Sequence, residues 1–164
     1  MSSVNERALI GESIHDDSGA EVLTQVFVVM GPPKPQGRPR ACRRGEYAGV
    51  YEDNKDKGDK NNIRAQIVTQ RPKRIPMGTP VALAMVYYMP RPKMHYSRSG
   101  QVKPRFIDVP HVARPDCDNM EKKFKDALSG MVWHDDSQVV SVYHRKCYCE
   151  PDKFPRTEIT VLSW

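Results

Sequence analysis

The sequence contains no run of about 18 consecutive apolar residues, the length that spans a bilayer as a helix. Its amino terminus also lacks the apolar stretch of a secretory signal peptide. Cysteine is scarce, with 4 among 164 residues, and no two cysteines form the Cys-x-x-Cys pair that is typical of a structural zinc site. We therefore expect neither a membrane-spanning nor a secreted protein, but one that works in the reducing environment of the cytoplasm.

Negative charge is scarce in the middle of the chain. Residues 31–114 contain 18 Lys and Arg against 6 Asp and Glu, a net charge of +12, whereas all other residues contain 8 against 14, a net charge of −6. A basic region of this kind indicates either a polyanionic partner, of which nucleic acid is the commonest, or a solvated basic face. Charge alone does not separate the two interpretations.

Hydrophobic patterning predicts one α+β (mixed α/β) domain after an acidic arm. Residues 1–20 show no periodicity, so we expect a flexible N-terminal arm, followed by a single domain over 21–164. Strands are predicted over 21–30, 80–89, 138–149 and 156–163, and helices over 53–70 and 119–129. The order β-α-β-loop-α-β-β predicts a single mixed β-sheet with two main helices.

Three further local expectations follow from the residues. The prolines of PPKPQGRPRACRR (32–44) exclude a helix and its arginines exclude a core, so we predict an exposed, extended, cationic loop. Residues 90–115 mix proline, basic and aromatic residues without a period, which predicts a long functional or disordered loop. Strand 80–89 is so continuously apolar that we expect burial on both of its faces.

The second helix is the best specified element of the sequence. Its apolar positions share one face and are Met120, Phe124, Ala127, Leu128 and Met131. Asp118 stands where an N-cap is expected, with Glu121 three residues later as in a capping box. Gly130 is the predicted C-terminal stop.

Two acidic pairs bracket this helix. Asp116 and Asp118 precede it, and Asp135 and Asp136 follow it. If the second pair folds back along the helix, three or four carboxylates meet, and such oxygen-rich clusters suit Mg²⁺ or Mn²⁺. The alternative is that these residues are caps and turns, and spacing alone leaves the two interpretations even. Lys122, four residues after Asp118, is either an ordinary salt-bridge partner or a cation that stabilises charge on a reacting phosphorus.

The segment PDCDNMEKKFKDALSGMVWHDDSQVV resembles the signature of the RusA family of Holliday junction resolvases. The shared elements are Asp116-x-Asp118-Asn119, Lys122, Asp126-Ala127-Leu128 and Asp135-Asp136-x-Gln138-Val139. The upstream GPPKPQGRPR is similar to the family's Pro- and Arg-rich segment after the first strand. The resemblance covers roughly 22–162.

This resemblance implies a homodimeric, Mg²⁺-dependent endonuclease, with Mn²⁺ as a substitute, that cuts four-way DNA junctions by paired nicks in recombination and repair. The implied metal ligands are Asp116, Asp118 and Asp136, and the implied catalytic lysine is Lys122. Of the neighbours Asp135 and Asp136, we expect only one to be a direct ligand, and the motif favours Asp136. Family members occur in bacteria, prophages and phages.

The cations of the basic region are the candidate DNA-binding residues. They are Arg38, Arg40, Arg43, Arg44, Lys73, Arg74, Arg91, Lys93, Arg98, Lys103 and Arg105, of which we expect fewer than half to matter. Because the motif occurs once per chain, paired nicks require two chains, and uncovered apolar residues of strand 80–89 are candidates for the interface.

Two interpretations from other classes stay open. A non-catalytic basic nucleic-acid-binding module would bind DNA in a salt-dependent way without metal-dependent cleavage. A structural or assembly protein with a basic face would not bind DNA.

Overall fold

The computed structural model describes residues 22–37, 40–45, 47–51 and 53–164, and for the non-glycine residues of 40–51 it describes the backbone alone. This part of the chain forms six strands and two α-helices. They are β1 (Leu23–Met30), β2 (Arg40–Arg44), β3 (Tyr47–Tyr51), α1 (Asn54–Thr69), β4 (Val81–Met89), α2 (Cys117–Leu128), β5 (Val139–Tyr148) and β6 (Arg156–Ser163). Neither helix is long and apolar enough to cross a membrane.

The main sheet has four strands in the order β1-β6-β4-β5. β4 and β5 are parallel because α2 carries the chain back across the sheet between them, whereas β6 is antiparallel to both β1 and β4. The chain reverses at Glu150–Lys153 as expected. However, β6 does not pair with β5, because it lies on the other side of β4, between β4 and β1. The predicted single mixed sheet with two main helices is confirmed.

The core lies between one face of this sheet and both helices. It combines alternate residues of the strands, such as Phe27, Met85 and Ile159, with Ile67 of α1 and Phe124 of α2. Along β4 the odd-numbered residues are buried and the even-numbered ones are only partly buried. The expectation that this strand is buried on both faces was therefore wrong, since both helices pack on the same face of the sheet.

Local structure differs from expectation at two points. Part of the segment predicted as a cationic loop is strand, because β2 pairs with β3 in a two-stranded hairpin. The α2 helix begins at Cys117, so Asp116 is the N-cap residue, without a side-chain capping bond, and Asp118 lies in the first turn. The prediction that Asp118 caps the helix was wrong, whereas Gly130 ends it with φ +77°, as expected.

Candidate active site

The first acidic pair lies exposed at the N-terminus of α2. The carboxylate of Asp118 is 3.6 Å from the Nζ of Lys122, one turn later, and both side chains are more than half exposed. An ion pair so exposed contributes only a few tenths of a kcal/mol to stability. Asp116 and Asp118 therefore present acceptor oxygens to the solvent at one place.

The two residues of the second pair have different surroundings. The side chain of Asp135 caps a short 3-10 turn (Asp136–Gln138) by accepting the backbone N–H of Ser137 at 2.8 Å. Hydrogen bonds from Ser137 lower the pKa of Asp135. The carboxylate of Asp136 instead accepts the indole N–H of the fully buried Trp133 at 2.9 Å. Asp135 thus stabilises the turn, whereas the carboxylate of Asp136 is held in place by a buried residue of the core.

Trp133 was not among the functional residues predicted from the sequence. The structure places it in the core and also uses its indole nitrogen to hold Asp136. The signal in the sequence was the spacing of three residues between a buried tryptophan and an acidic residue, which brings them together only if the chain turns tightly.

The two acidic pairs do not meet within one chain. Asp136 lies beside Asp126 and Ser129, at the C-terminal end of α2, whereas Asp116 and Asp118 lie at its N-terminal end. The helical rise from residue 118 to residue 128 is about 15 Å. The described residues contain no group of three or more His, Cys, Asp or Glu side chains that could hold a metal ion. The condition under which three or four carboxylates would meet is therefore not fulfilled among the described residues of one chain.

The exposed pair alone still suits a hard divalent cation. Mg²⁺ is commonly held by one or two carboxylates, with waters and substrate phosphate oxygens as its other ligands. Asp116 and Asp118 supply two such carboxylates. A three-carboxylate shell that includes Asp136 does not fit the single chain.

An open groove separates α1 from the C-terminal end of α2, and Asp136 lies in it. Its lining residues are Lys57, Lys60, Asn61, Arg64, Asp126, Ser129 and Asp136. The carboxylate of Asp126 accepts hydrogen bonds from Lys60 at 2.7 Å and Gln36 at 2.8 Å. The guanidinium of Arg64 donates to the carbonyl oxygens of Asp126 and Ala127, both at 3.0 Å, and so caps α2.

The cations of this groove were missing from the predicted DNA-binding residues. The sequence did contain a signal, because residues 57, 60 and 64 recur at helical spacing and fall on one face of α1. That signal was hidden by the three acidic residues of segment 53–70, which contains four cations in all.

A buried ion-pair network sets the distance between the two helices. The Nζ of Lys123, with its side chain 2% exposed, lies 2.7 Å from Asp56 and 3.2 Å from Asp59 on α1. Asp59 also pairs with Lys34 at 2.6 Å. Partial burial raises the pKa of Asp59, but hydrogen bonds from Lys34 and Lys123 outweigh that effect and leave the pKa below its ordinary value. This buried network therefore fixes the relative positions of α1 and α2, which form the walls of the groove.

The segment before the hairpin is anchored beside the acidic pair. The backbone N–H of Gln36 donates to the carbonyl of Asn119 in the first turn of α2 at 2.9 Å. The N–H of Gly37 donates to Asp56 at 3.0 Å, and a Cβ on this glycine would contact the Asp56 carboxyl group at 3.4 Å. The hairpin formed by β2 and β3, called the basic hairpin below, is therefore joined to the rest of the domain next to the N-termini of both helices. Arg38 lies outside the described residues, and Arg40, Arg43 and Arg44 belong to β2.

The remaining predicted DNA-binding cations differ in their availability. Arg91 donates through its guanidinium to the carbonyls of Cys149, Phe106 and Ile107, so it fastens the 90–115 loop to the sheet. Lys103 donates to the carbonyl of Met94 inside the same loop. The other cations of this set are exposed, and they are Lys73, Arg74, Lys93, Arg98 and Arg105.

An aromatic cluster also anchors the long loop. His95 stacks on Phe106 with ring centroids 4.2 Å apart, and both His95 and His111 pack against Tyr148 of β5. Within the described part of the chain, the Nδ1 atoms of both histidines are buried without a hydrogen-bond partner. Burial lowers the pKa of His95 and of His111, so both are neutral packing residues at neutral pH.

Comparison with known proteins gives a consistent assignment. The family model described as "Endodeoxyribonuclease RusA" matches residues 30–162. The chain is also 34% identical over 136 residues to the uncharacterized protein YqaN of Bacillus subtilis (strain 168), with 82% of this chain and 93% of that relative covered.

Proposed function

Because the chain belongs to the RusA family of endodeoxyribonucleases, we propose that it is a structure-selective DNA endonuclease that resolves four-way junctions by paired nicks in recombination and repair. The observation that carries this proposal is the exposed pair Asp116 and Asp118, with Lys122 one turn away, in a domain whose middle region is strongly basic. Acidic groups exposed on a DNA-binding surface repel phosphates, and a bound cation would offset that repulsion.

Asp116 and Asp118 would hold Mg²⁺, with Mn²⁺ as a substitute. The ion, when bound, lowers the pKa of a water molecule and neutralises charge on the oxygens of the scissile phosphodiester. Lys122 presents its ammonium group to the same solvent space as Asp118 and would stabilise the charge that develops on the phosphorus. Asp136, oriented by Trp133, is the third proposed catalytic carboxylate.

DNA backbones would bind to the cations around these groups. The α1 face with Lys57, Lys60 and Arg64 borders the carboxylate of Asp136 directly. The basic hairpin starts beside Asp116 and Asn119, since Gln36 is bonded there. We propose that Lys57 and Arg64 of the α1 face, the basic hairpin and the exposed cations of 73–74 and 93–105 carry DNA affinity. Lys60, Arg91 and Lys103 are bonded within the protein and would act only there.

The working unit would be a homodimer. Two nicks of like polarity require two active sites, and the motif occurs once in the chain. A two-fold dimer also matches the approximate symmetry of an opened junction.

A cleavage assay on a four-way junction tests the proposal, with a linear duplex of the same arm sequences as control. We expect Mg²⁺-dependent nicks at symmetry-related positions of the junction and no cleavage of the duplex. Binding to the junction without cleavage at any Mg²⁺ or Mn²⁺ concentration would replace the proposed nuclease with a non-catalytic nucleic-acid-binding module.

A further inference from the structure

Val112 exposes an apolar side chain close to the candidate active site. It is 89% exposed, the largest value among the exposed large apolar residues that the structure describes. It precedes Asp116 by four residues, a stretch of chain that spans at most about 14 Å. Nearby, Ile107 and Val109 are less exposed, at 51% and 37%, and line a hollow together with Tyr148. Val112 is thus the most available apolar side chain of the segment that leads to the first acidic pair.

Both neighbours of Val112 are fixed to strand β5. Before it, the ring of His111 packs against the ring of Tyr148, with the two centroids 4.7 Å apart. After it, the carbonyl of Ala113 accepts a hydrogen bond of 2.7 Å from the Nζ of Lys146. Because both anchoring residues belong to one strand of the main sheet, the loop holds the valine on a rigid base.

The same lysine connects Val112 to the first acidic pair. The Nζ of Lys146 also donates to the carbonyl of Pro115 at 2.7 Å, and Pro115 directly precedes Asp116, the N-cap residue of α2. Arg114, which lies between the two bonded carbonyl groups, is exposed and lines the cleft that contains Asp116. The protein therefore sets the distance between Val112 and the proposed catalytic carboxylates, and DNA bound at one lies close to the other.

The chemistry of valine decides which part of DNA Val112 can contact. Phosphates and sugars are bound by cations, polar side chains and backbone N–H groups, none of which a valine side chain supplies. The apolar surfaces of DNA are the faces of its bases and the methyl groups of thymine. In a regular duplex, stacking covers the base faces. An apolar side chain therefore gains most where stacking is interrupted.

The crossover of a four-way junction is such a place, because its strands leave one helix there and enter another. Apolar side chains that enter DNA unstack a base step, and the cost is smallest for bases that are mismatched or unpaired. A distance of about 14 Å corresponds to roughly four nucleotides along one strand. A crossover at Val112 therefore lies within a few nucleotides of a phosphate bound at Asp116 and Asp118.

We propose that Val112 is a wedge that inserts between bases at the crossover of a four-way junction and holds this base step open while the neighbouring strand is cleaved. The proposal rests on the endonuclease activity proposed above and names a residue that determines its substrate selectivity. A junction accepts the wedge at low cost, whereas a linear duplex has to be unstacked within a regular helix. Selectivity for branched DNA then follows from one apolar side chain on a rigid loop.

Single-turnover cleavage by Val112→Ser tests the wedge on two junctions with the same arm sequences. In one junction all bases are paired, and in the other the base pairs next to the crossover are replaced by mismatches. We expect Val112→Ser to cleave the paired junction at least about tenfold more slowly than the wild type, and the mismatched junction at a rate close to that of the wild type. An equal loss on both junctions would overturn the proposal, as would wild-type cleavage of the paired junction.

Two further variants separate the apolar contact from other effects of the substitution. Val68→Ser makes the same change at a valine that is 58% exposed in the last turn of α1, and it should leave the cleavage of both junctions unchanged. Val112→Leu keeps an apolar side chain and should cleave the paired junction at close to the wild-type rate. Equal losses in Val68→Ser and Val112→Ser would contradict the wedge, as would a Val112→Leu variant that is as slow as Val112→Ser.

The fluorescence of 2-aminopurine placed beside the crossover gives a readout independent of cleavage. EDTA is present so that the DNA stays intact. Binding of the wild type should raise the fluorescence of the paired junction several-fold, because the labelled base is unstacked, and binding of Val112→Ser should not. No rise with the wild type would contradict the wedge even if junctions are cleaved. A rise with the wild type alone, without cleavage in Mg²⁺ or Mn²⁺, would support base insertion and contradict the nuclease activity.

Discussion

The indole nitrogen of Trp133 donates a hydrogen bond of 2.9 Å to the carboxylate of Asp136. Trp133 is fully buried, whereas Asp136 faces a groove lined by three cations. The tryptophan therefore connects the rigid core to a carboxylate that meets the solvent. This hydrogen bond restricts the carboxylate of Asp136, which would otherwise sample several rotamers.

Trp133→Phe removes this hydrogen bond and keeps an aromatic ring in the core. We expect a modest loss of stability, and a fall of about ten- to a hundred-fold in the junction cleavage rate, as is usual when the support of a catalytic ligand is removed. Junction affinity should stay unchanged. In the double variant with Asp136→Asn, single-turnover cleavage should be no slower than in Asp136→Asn alone. Additive losses would show that Trp133 acts elsewhere.

Asp118→Asn should nearly abolish cleavage and leave junction binding intact. Its effect on folding should be small, because Asp118 does not cap α2 and, among the residues that the structure describes, it pairs only with Lys122 in an exposed ion pair. Calorimetric titration with Mn²⁺ should show weaker binding than in the wild type. Wild-type cleavage by the variant would reduce Asp118 to an ordinary first-turn residue.

Lys122 and Lys123 are neighbours in the chain, but the side chain of Lys122 is exposed and that of Lys123 is buried. A variant at one position therefore serves as the control for a variant at the other. Lys123→Met removes the closest cation that the structure describes around the buried carboxylate of Asp56 and should cost about 3–5 kcal/mol in the free energy of unfolding. Lys122→Met breaks an exposed pair and should cost less than about 1 kcal/mol. Cleavage should be lost in Lys122→Met although the protein stays folded. Urea denaturation and junction nicking measure the two effects, and equal stability losses would contradict the assignment.

Lys57→Glu tests the groove beside Asp136, with Lys55→Glu as its matched control. Both lysines are exposed in the first turns of α1, and two residues of separation place them on opposite sides of the helix. We expect Lys57→Glu to weaken junction binding by about tenfold and to reduce the salt dependence of the affinity, because fewer counterions are released. Lys55→Glu should have a much smaller effect. Equal losses of junction affinity in the two variants would mean that the affinity depends on net charge alone and not on the position of the lysine.

Acidification should destabilise the protein in two steps. The pKa values of His95 and His111 lie below the ordinary 6.5, so their contribution to stability is complete above about pH 6.5 and is lost as the pH falls below it. Hydrogen bonds from Arg156 lower the pKa of Glu150 from 4.5 to about 2, so its contribution is complete above about pH 4.5 and is lost toward pH 2. Thermal melts at successive pH values measure both steps. His95→Phe should reduce the first step, and an unchanged profile would contradict its assignment.

Much of the fold was predictable because local pattern and burial agree. The helix at residues 117–128 has all of its buried apolar residues on one stripe, and a glycine with positive φ follows it. The strands of the main sheet were found within one or two residues of their predicted bounds. The β2–β3 hairpin was missed because its residues lack an apolar alternation, so backbone pairing alone makes it a strand.

The sequence by itself determined the single mixed sheet, the amphipathic second helix and the family, since these depend on residue type and spacing along the chain. Only the tertiary structure decided that Arg91 fastens a loop and that Lys123 is buried between the helices. It also decided that Asp136 lies at the opposite end of α2 from Asp116 and Asp118. The physical reason is that a motif records distance along the chain, whereas partners and burial depend on how separate elements pack against each other.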